Sequence, residues 1–374
     1  MGKGFKYAAL SIVILLAISA GTVWWGYAHL TGLLQDQLRK IAGNDLSIGK
    51  VIAHWDRIEL EKVVLLRHGN RPFGKRLSVE RIELNPRLKS LMSGRLELGA
   101  IQIVNPYLLL EIAPDGSVVK PDLKTQKAGG GKDDVKPLPV VIDGIVINGG
   151  RMEILDWCAG RKRGVGLSNP KERYHRLRFS EIAFELGRLQ FPTLDEPTPL
   201  RLSLKDEGGG LLTMNGMVST RGGDCNLKLD LKGLKIIHYR PYFMKEGDLG
   251  IASGEASVAS NISVTRRQLT APGTVTLKGL AFDNSGSKGI LMGLPARALI
   301  NFMADNNGEL KVNFSLNGSL DNPRFTVRDS FAHEMASAIS RKLGITTPAG
   351  VGEGIIGGFG TRVVRGVMNA FGGK

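Results

Sequence analysis

Over most of the chain, apolar and polar side chains alternate with a period of two. Leu200-Arg-Leu202-Ser-Leu204-Lys, Leu227-Lys-Leu229-Asp-Leu231-Lys and Leu310-Lys-Val312-Asn-Phe314-Ser-Leu316 do so without a miss, the pattern of a strand with one dry and one wet side. Ile58-Glu-Leu60, Leu77-Ser-Val79, Leu96-Glu-Leu98, Leu177-Arg-Phe179, Val275-Thr-Leu277 and Phe325-Thr-Val327 are shorter copies, often separated by Gly, Asn, Asp or Pro. On these criteria about sixteen strands are expected. Few stretches between them are long enough for crossover helices, which predicts a mainly β protein built on an antiparallel sheet. Pro86 to Met92, Tyr239 to Lys245 and the region around Ile290 to Met303 interrupt the alternation and read as short helices or turns.

The two ends follow a helical period instead. Tyr7 to Leu34 is a 28-residue run without Asp, Glu, Lys or Arg; at 1.5 Å per residue it makes about 42 Å of helix, more than the ~30 Å of a bilayer core. Leu10, Ile14 and Leu15 lie inside the run, Lys3 and Lys6 precede it, and Trp24, Trp25 and Tyr27 stand where an aromatic belt meets the far interface. That order predicts an anchor with its N-terminus inside and the rest of the chain outside. The competing reading is a cleaved signal peptide with Ala17 and Ser19 at the cleavage site, but the apolar run continues past them. Leu30, Leu34, Leu38 and Ile41 extend the helix to a stop at Gly43.

At the other end Phe331, Met335 and Ile339 recur every four residues behind Asp329 or Ser330, with Gly344 as a stop. Beyond Pro348, one row of Val351, Ile355, Phe359, Val363, Val367 and Phe371 runs beside a row of Gly350, Gly354 and Gly358. This is either an amphipathic helix formed against a membrane or partner, with Arg362, Arg365 and Lys374 meeting acidic groups, or a loose glycine-rich tail. The expected organisation is an anchor and juxtamembrane helix over 1–42, an N-terminal β segment over 43–124, a flexible connection over 125–137, the main β segment over 138–328, and the C-terminal helix and tail over 329–374.

An internal echo crosses the connection. Ile101-Gln-Ile103-Val-Asn105-Pro106-Tyr107, followed by Leu108 to Ile112, parallels Ile145-Val-Ile147-Asn148-Gly149-Gly150, followed by Met152 to Leu155. Each copy reads as strand, tight Asn turn, strand. Ala159 to Arg176 carries six basic residues and reads as a solvated loop, with contact to anionic lipid as the functional alternative.

Composition narrows the chemistry. Hydrophobic residues make up 42 % and charged residues 23 % of the 374 positions, the balance of a folded protein. Glycine is frequent, 49 residues, but without the three-residue period of collagen. Fifty basic and 35 acidic side chains give a net charge of +15, which favours an anionic partner. Aromatics are only 6 % and the cations are spread along the strands, so nucleic acid is not that partner. His29, His54, His68, His175, His238 and His333 contain no pair at metal-ligand spacing on one element. Cys158 and Cys225 are either a disulfide or two thiols. Gly208 to Gly210 and Gly352 to Gly360 lack the Lys-Ser/Thr of a phosphate loop and read as turns or packing. Asp133-Asp134 and Asp206-Glu207 read as solvated acidic pairs, and no nucleophile-and-base arrangement stands out. The expectation is a protein without catalytic residues, metal or cofactor.

So many half-apolar strands do not leave their dry side bare to water, because burial is worth about 25 cal/mol per Å². Either a second sheet packs on the first, or the sheet stays open and its apolar wall holds lipid chains.

The lone N-terminal span, Leu96-Glu-Leu98-Gly99-Ala100-Ile101 through Asn105-Pro106, the turn at Asp115-Gly116, Gly144 to Asp156, Tyr239-Arg240-Pro241-Tyr242 with Gly254, and Gly318-Ser-Leu320-Asp-Asn-Pro323-Arg-Phe325 resemble the AsmA-like family of bacterial envelope proteins, including its members with a domain of unknown function. The resemblance implies an inner-membrane-anchored, single-pass protein whose periplasmic part is an elongated, twisted antiparallel β-sheet, a half-pipe with an apolar concave side. Larger relatives are thought to conduct phospholipid toward the outer membrane. On that basis Leu227, Leu229, Leu231, Leu310, Val312, Phe314 and Leu316 are the expected lipid-facing wall, and phospholipid, the inner membrane, and another envelope protein or a further copy of the chain are the expected partners. Sixteen strands about 4.8 Å apart reach only about 75 Å, a fraction of an envelope-spanning bridge. The alternative is a structural or assembly factor whose sheet packs on itself and which affects outer-membrane protein assembly.

Overall fold

The computed structural model describes residues 46–54, 56–66, 75–91, 95–119, 139–160, 174–191, 196–219, 223–243, 251–282, 290–291, 294–295 and 308–321. The expected anchor with Leu10, Ile14, Leu15, Trp24 and Trp25, the connection over 125–137, and the C-terminal helix and tail lie outside the described residues. Among the described residues no helix is long and apolar enough to cross a membrane.

The strands are β1 (Leu46–Ala53), β2 (Ile58–Leu66), β3 (Lys75–Leu84), β4 (Leu96–Val104), β5 (Tyr107–Ile112), β6 (Val140–Asp156), β7 (His175–Leu186), β8 (Leu189–Phe191), β9 (Pro197–Asp206), β10 (Leu211–Ser219), β11 (Cys225–Lys235), β12 (Ile251–Thr265), β13 (Gln268–Phe282), β14 (Ile290–Leu291), β15 (Leu294–Pro295) and β16 (Glu309–Ser319). Fourteen of them form one sheet, in the order β1-β2-β3-β4-β6-β7-β9-β10-β11-β12-β13-β16, with β5 pairing β3 and β6, and β8 pairing β6. β14 and β15 form a separate two-stranded sheet. Short helices interrupt the meander: α1 (Leu88–Leu91), α2 (Trp157–Gly160), a 3-10 turn (Ile236–Tyr239) and α3 (Arg240–Phe243).

The sheet is mixed, which corrects the expectation of an antiparallel one. Both β4 and β5 run parallel to β6, with Ile101 opposite Ile145, Ile103 opposite Ile147 and Leu110 opposite Ile154. The two echoed segments are therefore neighbours, in register with each other. The expected turn at Asn105 does not reverse the chain. Asn105 adopts φ 48° and Gly149 φ 68°, so each strand is kinked once at the matching place and continues. Pairing crosses the kink: the Asn105 N–H donates to the Asn148 carbonyl and the Arg151 N–H to the Pro106 carbonyl, both at 2.8 Å. A side chain at 149 would strike that of Asn105, so glycine is required there. Twenty-seven residues separate β5 from the parallel β6, enough for the long connection that a parallel pair needs.

The packed apolar clusters sit at different places along this sheet. Val51, Ile58, Leu60, Val63, Val79 and Leu84 close the β1–β3 end. Leu96, Leu98, Val140, Ile142, Leu186 and Leu189 pack around β4, β6 and β8. Val264, Leu269, Ala271, Val275, Leu310, Val312, Phe314 and Leu316, with Ile236 and Ile251, close the β12–β16 end.

Candidate functional site

Register brings one apolar line across the whole sheet. Residues directly opposite each other on paired strands project to the same side. Val51, Leu60, Ile82, Ile103, Ile147, Phe184, Leu202, Met214, Leu229, Ser260, Gly273 and Phe314 are linked partner to partner through all twelve strands of the path. No charge interrupts it. A second line runs Ile101, Ile145, Leu186, Leu200, Gly216, Leu227 and Ile262. A third joins Leu204, Leu212, Leu231, Val258, Val275 and Val312. One residue along, the other side reads Glu59, Glu83, Gln102, Val146, Glu185, Arg201, Asn215, Lys228 and Asn261, with Arg201 and Glu185 paired at 3.1 Å.

All seven residues expected as a lipid-facing wall lie on these apolar lines or beside them on the same side of β11 and β16, but in two different environments. Leu227, Leu229 and Leu231 are half-buried. Leu310, Val312, Phe314 and Leu316 are buried, none more than 7 % exposed. The half-buried part of the face lies further back along the sheet than the sequence suggested: Ile103, Ile147, Phe184, Leu202, Met214 and Leu229 are all neither buried nor exposed. Alternation marks Leu202 and its neighbours as a strand; no local signal places Ile103, Ile147, Phe184 and Met214 beside Leu229, because register is a long-range property. Among the described residues, no second large sheet covers this face. The expected C-terminal row Val351, Ile355, Phe359, Val363, Val367 and Phe371 lies outside the described residues.

A shallow groove of about 590 Å³ crosses β7, β9 and β10. It is lined by Ala183, Glu185, Arg201, Ser203, Thr213 and Asn215 of the wet side of the alternation and also by Leu200, Leu202, Met214 and Gly216 of the apolar lines.

One end of the apolar face is bridged by Ile236–Phe243. Ile236 reaches the β12–β16 cluster, while Tyr239 and Tyr242 pack on Ile112, Ile154 and Leu177. Buried carboxylates hold this crossbar. The Tyr239 hydroxyl donates to Asp206 at 3.1 Å, and Asp206 also accepts from the Gly210 N–H. Burial, then the neighbouring Asp206 carboxylate, pushes the Tyr239 phenol well above its ordinary ionisation range. Burial and Asp156 do the same to Tyr242, and Asp156 accepts from the Ala159 N–H at 2.8 Å. The expectation of a solvated Asp206 is therefore corrected: it is 6 % exposed because the glycine-rich turn after β9 folds back over it and a tyrosine from a distant segment closes it. Asp133 and Asp134 lie outside the described residues.

His175 joins the same corner. Its Nε2 donates to the His238 carbonyl at 2.8 Å, which sets the neutral tautomer, and its ring meets that of Tyr242 edge-on at 5.4 Å. Burial lowers its basicity. The corner's acids and phenols engage one another and backbone groups, while the buried His175 Nδ1 has no hydrogen-bond partner among the described residues.

No group of three or more His, Cys, Asp or Glu among the described residues is placed to hold a metal ion. No disulfide joins Cys158 and Cys225; Cys158 packs beside Tyr239 and Tyr242 and Cys225 against the β12–β16 cluster. Of the basic stretch at 159–176, residues 161–173 lie outside the described residues, and Arg176 donates to the Tyr174 hydroxyl at 2.9 Å. No protein-family model and no curated protein matches the chain.

Proposed function

We propose that the protein is an AsmA-like, membrane-anchored envelope protein that takes the acyl chains of phospholipid on the apolar side of its sheet and contributes to outer-membrane biogenesis. The observation that carries this reading is the charge-free line of side chains from β1 to β16, half-buried over its middle strands and without a second large sheet on it among the described residues. Hydrocarbon laid on such a face crosses no polar step, and its headgroup stays in water at the margin. The apolar run Tyr7 to Leu34 ends twelve residues before β1, a tether of at most about 40 Å, which keeps the face near its source of lipid. The mechanism is passive partition between bilayer and sheet, with no bond made or broken.

The test is to extract the full chain gently and analyse it by native mass spectrometry and thin-layer chromatography. Phospholipid is expected to accompany the wild type and to be depleted in Leu202→Asp and Leu229→Asp variants that keep the wild-type circular dichroism. A wild type free of lipid overturns the reading. The buried side chains of β16 favour a second one, a structural or assembly factor whose sheet packs against its own chain. It predicts no bound lipid and comparable unfolding by aspartate at Leu229 and at Val312.

A further inference from the structure

The apolar line does not have the same character along its length. Across β3, β4, β6, β7, β9, β10 and β11 it is half-buried. At β12 and β13 it passes through its two smallest members, Ser260 and Gly273. The Ser260 hydroxyl donates to the Pro272 carbonyl at 2.9 Å, so its oxygen is engaged by backbone. Gly273 is a socket. A Cβ built there would lie 2.6 Å from Cζ of Phe314, which shows that the Phe314 ring, from the next strand, lies over the glycine. A second glycine, Gly254, lies six residues along β12 from Ser260, and a Cβ there would meet Leu280 Cδ1 at 2.9 Å and Ile236 Cδ1 at 3.3 Å. On the line itself the Phe314 ring stands on Gly273 and fills the face where a smooth channel would have to pass.

We propose that Phe314, seated on Gly273, is the end wall of a bounded acyl site on β3 to β11, and that it sets the chain length the site accepts. The inference rests on the reading of the apolar face as a lipid site, and it replaces an open conduit with a closed berth. At about 4.8 Å per strand, the seven half-buried strands span about 29 Å, against about 53 Å for the full path of twelve. One leaflet of a bilayer core is about 15 Å deep, so the berth holds one extended chain lengthwise and no train of them. At the opposite end the line closes again at Leu60 and Val51, both buried. The Tyr239–Tyr242 crossbar bounds one flank, which directs the headgroup to the other.

The experiment uses the full chain in mild detergent, offered an equimolar mixture of dilauroyl, dimyristoyl, dipalmitoyl and distearoyl phosphatidylcholine, with the bound fraction read by native mass spectrometry. The wild type is expected to favour some lengths over others. Phe314→Ala removes the wall and should enrich the longer chains by about tenfold, the discrimination that a methylene or so carries in an apolar pocket. Met214→Trp, in the half-buried middle, should shift the profile to shorter chains. Where circular dichroism shows Phe314→Ala unfolded, Phe314→Leu and Met214→Trp carry the test. A wild type that binds no lipid refutes the site itself. Lipid bound without chain-length preference, or a profile unchanged in the folded variants, overturns the end wall and leaves the lipid reading standing.

Discussion

Aspartate placed at Val312 and at Leu229 separates the closed end of the face from its open middle. Val312 is 4 % exposed, between Leu310 and Phe314 and opposite Val275. Losing its burial costs about 2 kcal/mol. The new carboxyl has no cation in the apolar cluster around it, so it stays protonated. Holding an acid of ordinary pKa about 3.9 neutral at pH 7 costs a further 4 kcal/mol or so. The sum, about 6 kcal/mol, is comparable with the whole stability of many domains. At Leu229, half-buried between Met214 and Ser260, the carboxylate keeps water and the loss is about 1 kcal/mol. With a urea dependence of about 3 kcal/mol per molar, the midpoint should fall by roughly 2 M for Val312→Asp and roughly 0.3 M for Leu229→Asp. Tryptophan fluorescence and circular dichroism of the full chain in urea read both. Equal falls would refute the division of the face into a packed end and an open middle.

Three further outcomes follow from single contacts. Gly216 sits at φ 154° and a Cβ there meets the Asn226 carbonyl of β11, so Gly216→Ala should destabilise by about 1–3 kcal/mol, visible as a lower thermal midpoint. Tyr242→Phe takes a hydrogen-bonding hydroxyl away from the buried Asp156; a loss of about 1–3 kcal/mol is expected, and rescue by Asp156→Asn in the double variant would show that the pair is coupled. His175 has its basicity lowered by burial. The unfolded chain binds that proton more readily, so stability is complete above pH about 6.5 and declines as the pH falls below it toward the folded value. Urea midpoints measured from about pH 7 to pH 5 should fall, and the fall should be smaller in His175→Gln.

The strands themselves were legible because alternation is a local property. Leu200 to Leu204, Leu227 to Leu231 and Leu310 to Leu316 each lie within a strand of the sheet, β9, β11 and β16. Strand direction was not legible. The echo around Asn105 and Gly149 was visible as repeated letters, but whether such an Asn reverses a strand or kinks it depends on what lies beside it, and here the neighbour is its own copy. The polar corner escaped for the same reason. Asp206 stands in a run of charged and glycine residues that looks wet, and only the arrival of Tyr239, 33 positions later, makes it dry. The seven expected wall residues share a side, as period two requires, yet the pattern carries no information on how deeply each is buried.

That depth is decided by what stands opposite each glycine. Alternation makes a face apolar, and it leaves the face continuous only where successive side chains leave room. Gly216, Gly254 and Gly273 all interrupt the apolar side of the sheet, and each creates a dip. At Gly216 the nearest atoms to a missing Cβ are backbone, Asn226 O and Leu227 Cα, so no neighbouring side chain fills that dip and the surface there stays half-open. At Gly254 the dip is filled by Leu280 and Ile236, and at Gly273 by Phe314. The same residue type therefore opens the face in one place and closes it in two. A sheet of identical hydrophobic pattern, with alanine at 273 and a smaller residue at 314, would present a line open as far as its last strand. The distinction between a berth and a conduit lies in two side chains rather than in the fold.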